Sequence, residues 1–140
     1  MLVGILQITL LIAVGQFVFG VAWGRSPLAL AIMVITFDLA AVSLGILPST
    51  LVKTTEQAVG LMLGVSMTMA ALGGAWWPLE IVPTTMQRIG YLFPVAWAME
   101  GFQAVILRGA GTPEVALPAL VLLSFALLFF SLGIWRFRYE

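Results

Sequence analysis

Residues 76–108 read Trp76-Trp77-Pro78-Leu79-Glu80-Ile81-Val82-Pro83, then TTMQRIGYLF (84–93), then PVAWAMEGFQAVILR (94–108). The stretch is too polar and too broken by proline for one ordinary transmembrane helix. It is too apolar for a solvated loop. A segment that enters the edge of a bilayer and leaves by the same side has this composition. Irregular backbone at membrane depth is tolerated only where protein or a cavity satisfies its hydrogen bonds, so such segments tend to line or cover a pathway.

The chain on either side supplies the membrane. Of 140 residues, 62% are apolar, and six basic residues balance six acidic ones. A soluble domain of this size could not hide so much apolar surface. Four runs stand out, about 1–23, 28–47, 58–77 and 115–135, interrupted only by Asp38 in the second. Each is long enough to cross the hydrocarbon core at about 1.5 Å per residue. Trp23, Trp76, Trp77 and Trp135 fall at run ends, where indole rings favour the water–lipid interface. The expected fold is therefore one transmembrane domain, an all-α integral membrane protein. Four transmembrane helices are expected, with a re-entrant or interfacial helical pair in 78–113, between the third and fourth.

Within that excursion, Thr84 and Gln87 have capping-box spacing after Pro83. Pro94 ends the first short helix near Phe93 and can open a second that runs to Arg108, before Gly109 and Gly111. Thirteen residues from Val95 to Leu107 make about 20 Å of helix, short of the roughly 30 Å of hydrocarbon. Two short helices fit this better than the alternative, a kinked fifth span from Ile89 to Leu107.

Catalysis lacks its parts. The chain has no histidine and no cysteine, so it holds no Ser–His or Cys–His device and no zinc site of the usual kind. Asp38 is the single aspartate, so no aspartyl dyad exists. Lys53 is the single lysine and lies in no phosphate-binding loop. No enzyme activity and no cofactor are expected. The zero net charge suggests no nucleic-acid partner.

Asp38 lies mid-span, where a carboxylate is costly and a functional candidate by default. Three states are open to it: protonated, bonded to Gln7, Gln16, Thr36 or Ser43, or paired with another subunit. A polar packing contact and a direct role in transport are both compatible with it. Gly60 and Gly64, and Gly20 and Gly24, have the spacing of close helix approach; Met62, Met67 and Met69 read as adaptable packing. Glu100, Gln103 and Arg108 make a polar stripe on the second short helix, opposite Val95, Met99, Phe102 and Ile106. It is either a solvated interfacial face or the rim of a pathway. The positive-inside rule ties, with Lys53, Arg136 and Arg138 on one side and Arg25, Arg88 and Arg108 on the other. Met1 opens straight into an apolar run without the basic lead of a secretory signal, so the chain reads as the later part of a longer protein or as an internal start.

An ordered set of residues resembles the permease subunits of type-2 ABC transporters. It runs through Ser43-Leu44-Gly45, Lys53-Thr54-Thr55-Glu56-Gln57-Ala58, Gly73-Gly74, Pro78-Leu79-Glu80 and Pro83. Gln87-Arg88-Ile89, Pro94-Val95-Ala96-Trp97 and Gly101-Phe102-Gln103 follow. The resemblance implies six spans in a full subunit with both ends cytoplasmic, of which this chain holds the last four. The first two spans, an N-terminal interfacial helix and the first coupling loop would be missing. It further implies that Lys53, Thr54, Thr55, Glu56 and Gln57 form a cytoplasmic loop against an ABC ATPase subunit, that 136–140 is cytoplasmic, and that the excursion is outside. The implied partners are two separate ATPase subunits, a second permease copy or half, and the lipid bilayer of the plasma or inner membrane. ATP hydrolysis in the partners would drive export along a path that this chain helps to form.

Two other classes keep a place. A secondary transporter would use Asp38 as a proton-coupling carboxylate, and would show inverted repeats; none is visible between the halves. A non-transporting scaffold would leave the proline-broken excursion without a purpose. Lipid, drug, peptide and polysaccharide substrates all fit the pattern.

Overall fold

The computed structural model describes residues 1–49 and 51–137. Thr50, just before the expected coupling loop, and residues 138–140 of the expected cytoplasmic tail lie outside the described residues. Six α-helices follow in order: α1 (Leu2–Phe19), α2 (Pro27–Ser49), α3 (Thr55–Leu72), α4 (Thr84–Gly90), α5 (Pro94–Arg108) and α6 (Thr112–Phe137), with a 3-10 turn at Leu79–Ile81 before α4. No strand occurs among the described residues. The all-α membrane architecture expected from composition is what the chain adopts.

The core is where α2, α5 and α6 meet. Its small and apolar residues recur at helical spacing: Ala29, Met33 and Ala40 on α2, Ala98 and Val105 on α5, and Val115, Ala119, Leu122 and Ala126 on α6. Five alanines and a glycine at such contacts let helix backbones approach closely, which is what favours association once lipid replaces water as solvent. Gly101 sits at the crossing, where an added Cβ would run into Met33 and reach within 3.3 Å of Pro118 Cβ. Beside it the Phe37 and Phe102 rings pack edge to face with centroids 6.2 Å apart.

Helices α1 and α3 bury none of their residues. An apolar helix in lipid has no hydrophobic penalty to escape, so it can hold its place through a few contacts. Gly4 and Gly15, eleven residues apart and thus on one face of α1, supply two of them. A Cβ on Gly4 would overlap the Asp38 carboxylate, and one on Gly15 would press on the Trp23 ring.

Helix α3 starts earlier and stops earlier than the apolar run at 58–77. Thr54 is its N-cap and accepts a hydrogen bond from the Gln57 amide. At the other end Gly73 caps the helix and Gly74 takes φ +82°, a conformation that costs glycine little. Trp76 and Trp77 therefore lie beyond the helix, packed edge to face on each other at 5.9 Å. Helices α1, α2 and α6 are long and apolar enough to cross a membrane, and α4 with α5 would supply a fourth candidate span if the pair were taken as one. Helix α3 is not in that set: its 18 residues include the polar lead Thr55-Glu56-Gln57.

The excursion is two short helices bent by 100° across residues 91–93. Pro94 occupies the first turn of α5, the preceding Phe93 is extended as proline requires, and Gly109 closes the helix at φ +62°. The capping box expected at Thr84 and Gln87 is absent. Pro83 takes the N-cap place without a side-chain bond, which puts Thr84 inside the helix. The Gln87 side chain instead reaches back and donates to the Val82 carbonyl at 3.0 Å.

Candidate functional site

A half-open cavity of about 370 Å³ lies at the α4–α5 bend, between the 3-10 turn, Tyr91 and α5. Its polar lining comes from Glu80 on the 3-10 turn, Tyr91 at the bend, and Glu100, Gln103 and Arg108 on α5. Glu100 and Gln103, expected from the sequence as a polar stripe, are therefore brought together with two residues that the stripe did not include. The apolar wall includes Leu79, Met99 and Leu107. Met99 thus shares the cavity with Glu100, where the sequence placed it on the opposite face. The face that α5 buries is its small one, Ala98, Gly101, Ala104 and Val105. Close helix approach selects for small volume there, so Met99, Phe102 and Ile106 are left half-buried and Leu107 exposed.

Tyr91 is held from two sides. Its backbone carbonyl accepts a hydrogen bond of 2.9 Å from the Trp97 indole N–H, and the two rings pack edge to face at 5.2 Å. Its hydroxyl donates toward the Glu100 carboxylate. Burial, then the charge of Glu100 and that hydrogen bond, hold the phenol above its ordinary range, with Glu80 adding to the effect and Arg108 opposing it. The raised phenol keeps its proton and can donate it to a carboxylate. Among the described residues no ion pair joins Arg108 to Glu80 or Glu100. The cavity therefore holds two carboxylates and one guanidinium that do not neutralise one another by contact.

Asp38 lies elsewhere, on α2 under α1. It is 5% exposed, and its Oδ2 has no hydrogen-bond partner among the described residues. The polar neighbours considered for it do not serve. Gln7 and Gln16 sit on the exposed surface of α1. The Thr36 hydroxyl is spent on its own helix, donating to the Ile32 and Met33 carbonyls; a threonine can reach back this way because its Oγ lies over the preceding turn. Ser43 is buried on α2 but makes no bond to Asp38. Trp23 Nε1 is the other buried side-chain polar atom without a partner among the described residues. Both orphans lie against α1 glycines. Gly4 and Trp23 were not singled out in sequence as a pair with Asp38; the eleven-residue glycine spacing on α1 is the signal that could have pointed to them.

The third group is the polar head of α3. Thr54 Oγ accepts from the Gln57 amide at 3.3 Å, and Gln57 Oε1 accepts from the Lys53 amide at 3.3 Å. This reciprocal arrangement closes the helix start much as a capping box does. Lys53, Thr54, Thr55, Glu56 and Gln57 are all exposed, so the head is an ordered polar end. At the far end of α3, Gly73 meets Val95 of α5, and the Leu72 carbonyl lies where a Cβ on Gly90 of α4 would go. The head and the α4–α5 bend are therefore the two ends of one helix.

Comparison with known proteins bears on these three places together. Residues 1–135 match the model of a family described as ABC-2 family transporter protein. Over 138 residues the chain is 32% identical to the linearmycin resistance permease protein LnrN of Bacillus subtilis (strain 168), an alignment that takes in 97% of this chain. The chain spans 35% of that relative's length. No solved structure matches it. A multi-helix membrane domain with a proline-bent helical pair and a family match along nearly its whole length belongs to the ABC-2 family of transporter membrane proteins.

Proposed function

We propose that this chain forms part of the permease of an ATP-driven exporter and couples to a separate ATPase subunit through the head of α3. The permease is completed by a second copy or half, in the plasma or inner membrane. The observation that carries this reading is the continuity of α3. Its 18 residues, about 27 Å at 1.5 Å each, run without a break from the capped head at Thr54 to the glycine contacts with α4 and α5. A displacement imposed at the head moves the helix as a rod, and the packed glycines pass it to the bend. The resemblance supplies the orientation, with the head inside and the bend outside. Export is supported by the Bacillus relative, whose name gives it a role in resistance to linearmycin; outward movement of a toxic compound would confer resistance.

Crosslinking tests the coupling. Thr55→Cys or Glu56→Cys leaves the Thr54 cap in place and is expected to crosslink to the ATPase in the assembled transporter. Labelling of these sites solely from outside the cell would refute both the contact and the orientation.

The bend carries a separate prediction. Single cysteines at Thr84 and Thr112 are both expected to react with an impermeant thiol reagent added to intact cells, because neither short helix reaches across the core. Reaction at one site alone would show that α4 and α5 cross together as a broken span.

A further inference from the structure

We propose that the cavity at the α4–α5 bend is a binding site for an amphiphile carrying a protonated amine. Its lining sums to one excess negative charge, from Glu80 and Glu100 against Arg108, so a monocation brings it to neutrality. An ammonium group offers three N–H donors and no acceptor. The acceptors here are the Glu80 and Glu100 carboxylates and the Gln103 amide oxygen. Tyr91 is fixed beside them by the Trp97 indole, through its carbonyl and its ring, so this wall of the site needs little ordering on binding. Leu79, Met99 and Leu107 line the remainder and take the alkyl chain next to the nitrogen. A neutral alcohol with the same tail can use the apolar wall but leaves both carboxylates without a cation, and an anion meets them as like charges.

The inference rests on the exporter reading solely for the identity of the amine as a transported substrate; the binding itself requires no ATPase. The test is therefore made without nucleotide. Radiolabelled decylamine is titrated onto the intact permease in phosphatidylcholine nanodiscs. Saturable binding is expected, displaced by unlabelled decylamine and far less by decanol. In the Glu80→Gln/Glu100→Gln double variant the affinity is expected to fall about tenfold or more, the loss typical of charge-assisted hydrogen bonds. Glu80→Gln alone changes an exposed side chain and cannot unfold the helices; a severalfold loss is expected from it. Exchanging phosphatidylcholine for phosphatidylethanolamine separates two sources of the same chemistry. Weaker decylamine binding there makes the lipid headgroup the occupant, and unchanged binding makes it a free amine. No saturable binding, equal competition by decanol, or unchanged affinity in both variants would overturn the assignment. Failure of the α3 crosslink would leave each of these results standing.

Discussion

Gly24→Ala is expected to lower stability by about 3 kcal/mol. Gly24 lies in the turn between α1 and α2 at φ +92°, outside the range that side chains ordinarily adopt. A Cβ there would also overlap the Val105 carbonyl oxygen, which belongs to the backbone of α5 and cannot rotate away. The two effects add, because one is local strain and the other forces α5 off the turn. The measurement is the thermal aggregation midpoint of the detergent-solubilised protein, with the amount of protein inserted in the membrane as a second readout. Gly60→Ala is the control. Nothing lies within 4 Å of its Cβ position and its backbone is helical, so alanine is expected to be neutral or slightly stabilising. Equal midpoints for Gly24→Ala and the unaltered protein would show that the turn does not press on α5.

Asp38→Asn is expected to lower transport tenfold or more while insertion and assembly persist. Asparagine keeps the shape of the side chain and removes the charge. Asp38 is buried with an oxygen that has no partner among the described residues, and such a group lowers stability unless something else compensates. Replacing it by an apolar residue of similar volume should therefore leave stability unchanged or raise it by about 1–2 kcal/mol. Stability alone would favour Leu at this position, so loss of transport in a well-folded Asp38→Leu variant would place the carboxylate in the working cycle. Normal transport by Asp38→Leu would leave the carboxylate with no role in that cycle. A fall in stability for both variants, with transport tracking protein level, would make Asp38 a packing contact after all. The contact with Gly4 gives an independent handle, since Gly4→Ala must push α1 away from the carboxylate.

The residues that carry strong local instructions were legible without coordinates. Pro94 cannot continue α4 and is favourable at the start of α5, and Gly109 accepts the left-handed end, so the helix bounds Pro94–Arg108 followed from backbone sterics. The long apolar runs set the membrane class through composition, and the order of motifs from Ser43 to Arg108 set the family. The fine placement of caps did not follow: Thr84 and Thr54 stand in similar local patterns, yet only Thr54 caps a helix, because Pro83 had already taken that place before α4. Which face of α5 is buried depended on how close α2 and α6 come, and that distance is set by Met33, Gly101 and Pro118 jointly. The meeting of Glu80, Tyr91 and Glu100 depended on a 100° bend that joins residues twenty positions apart. Period and composition act along the chain and can be read from it. Cavities, and buried atoms left without partners, arise between segments, so only the packing of the helices decided where this protein keeps its polar pocket and that its one aspartate lies beneath α1 without a partner among the described residues.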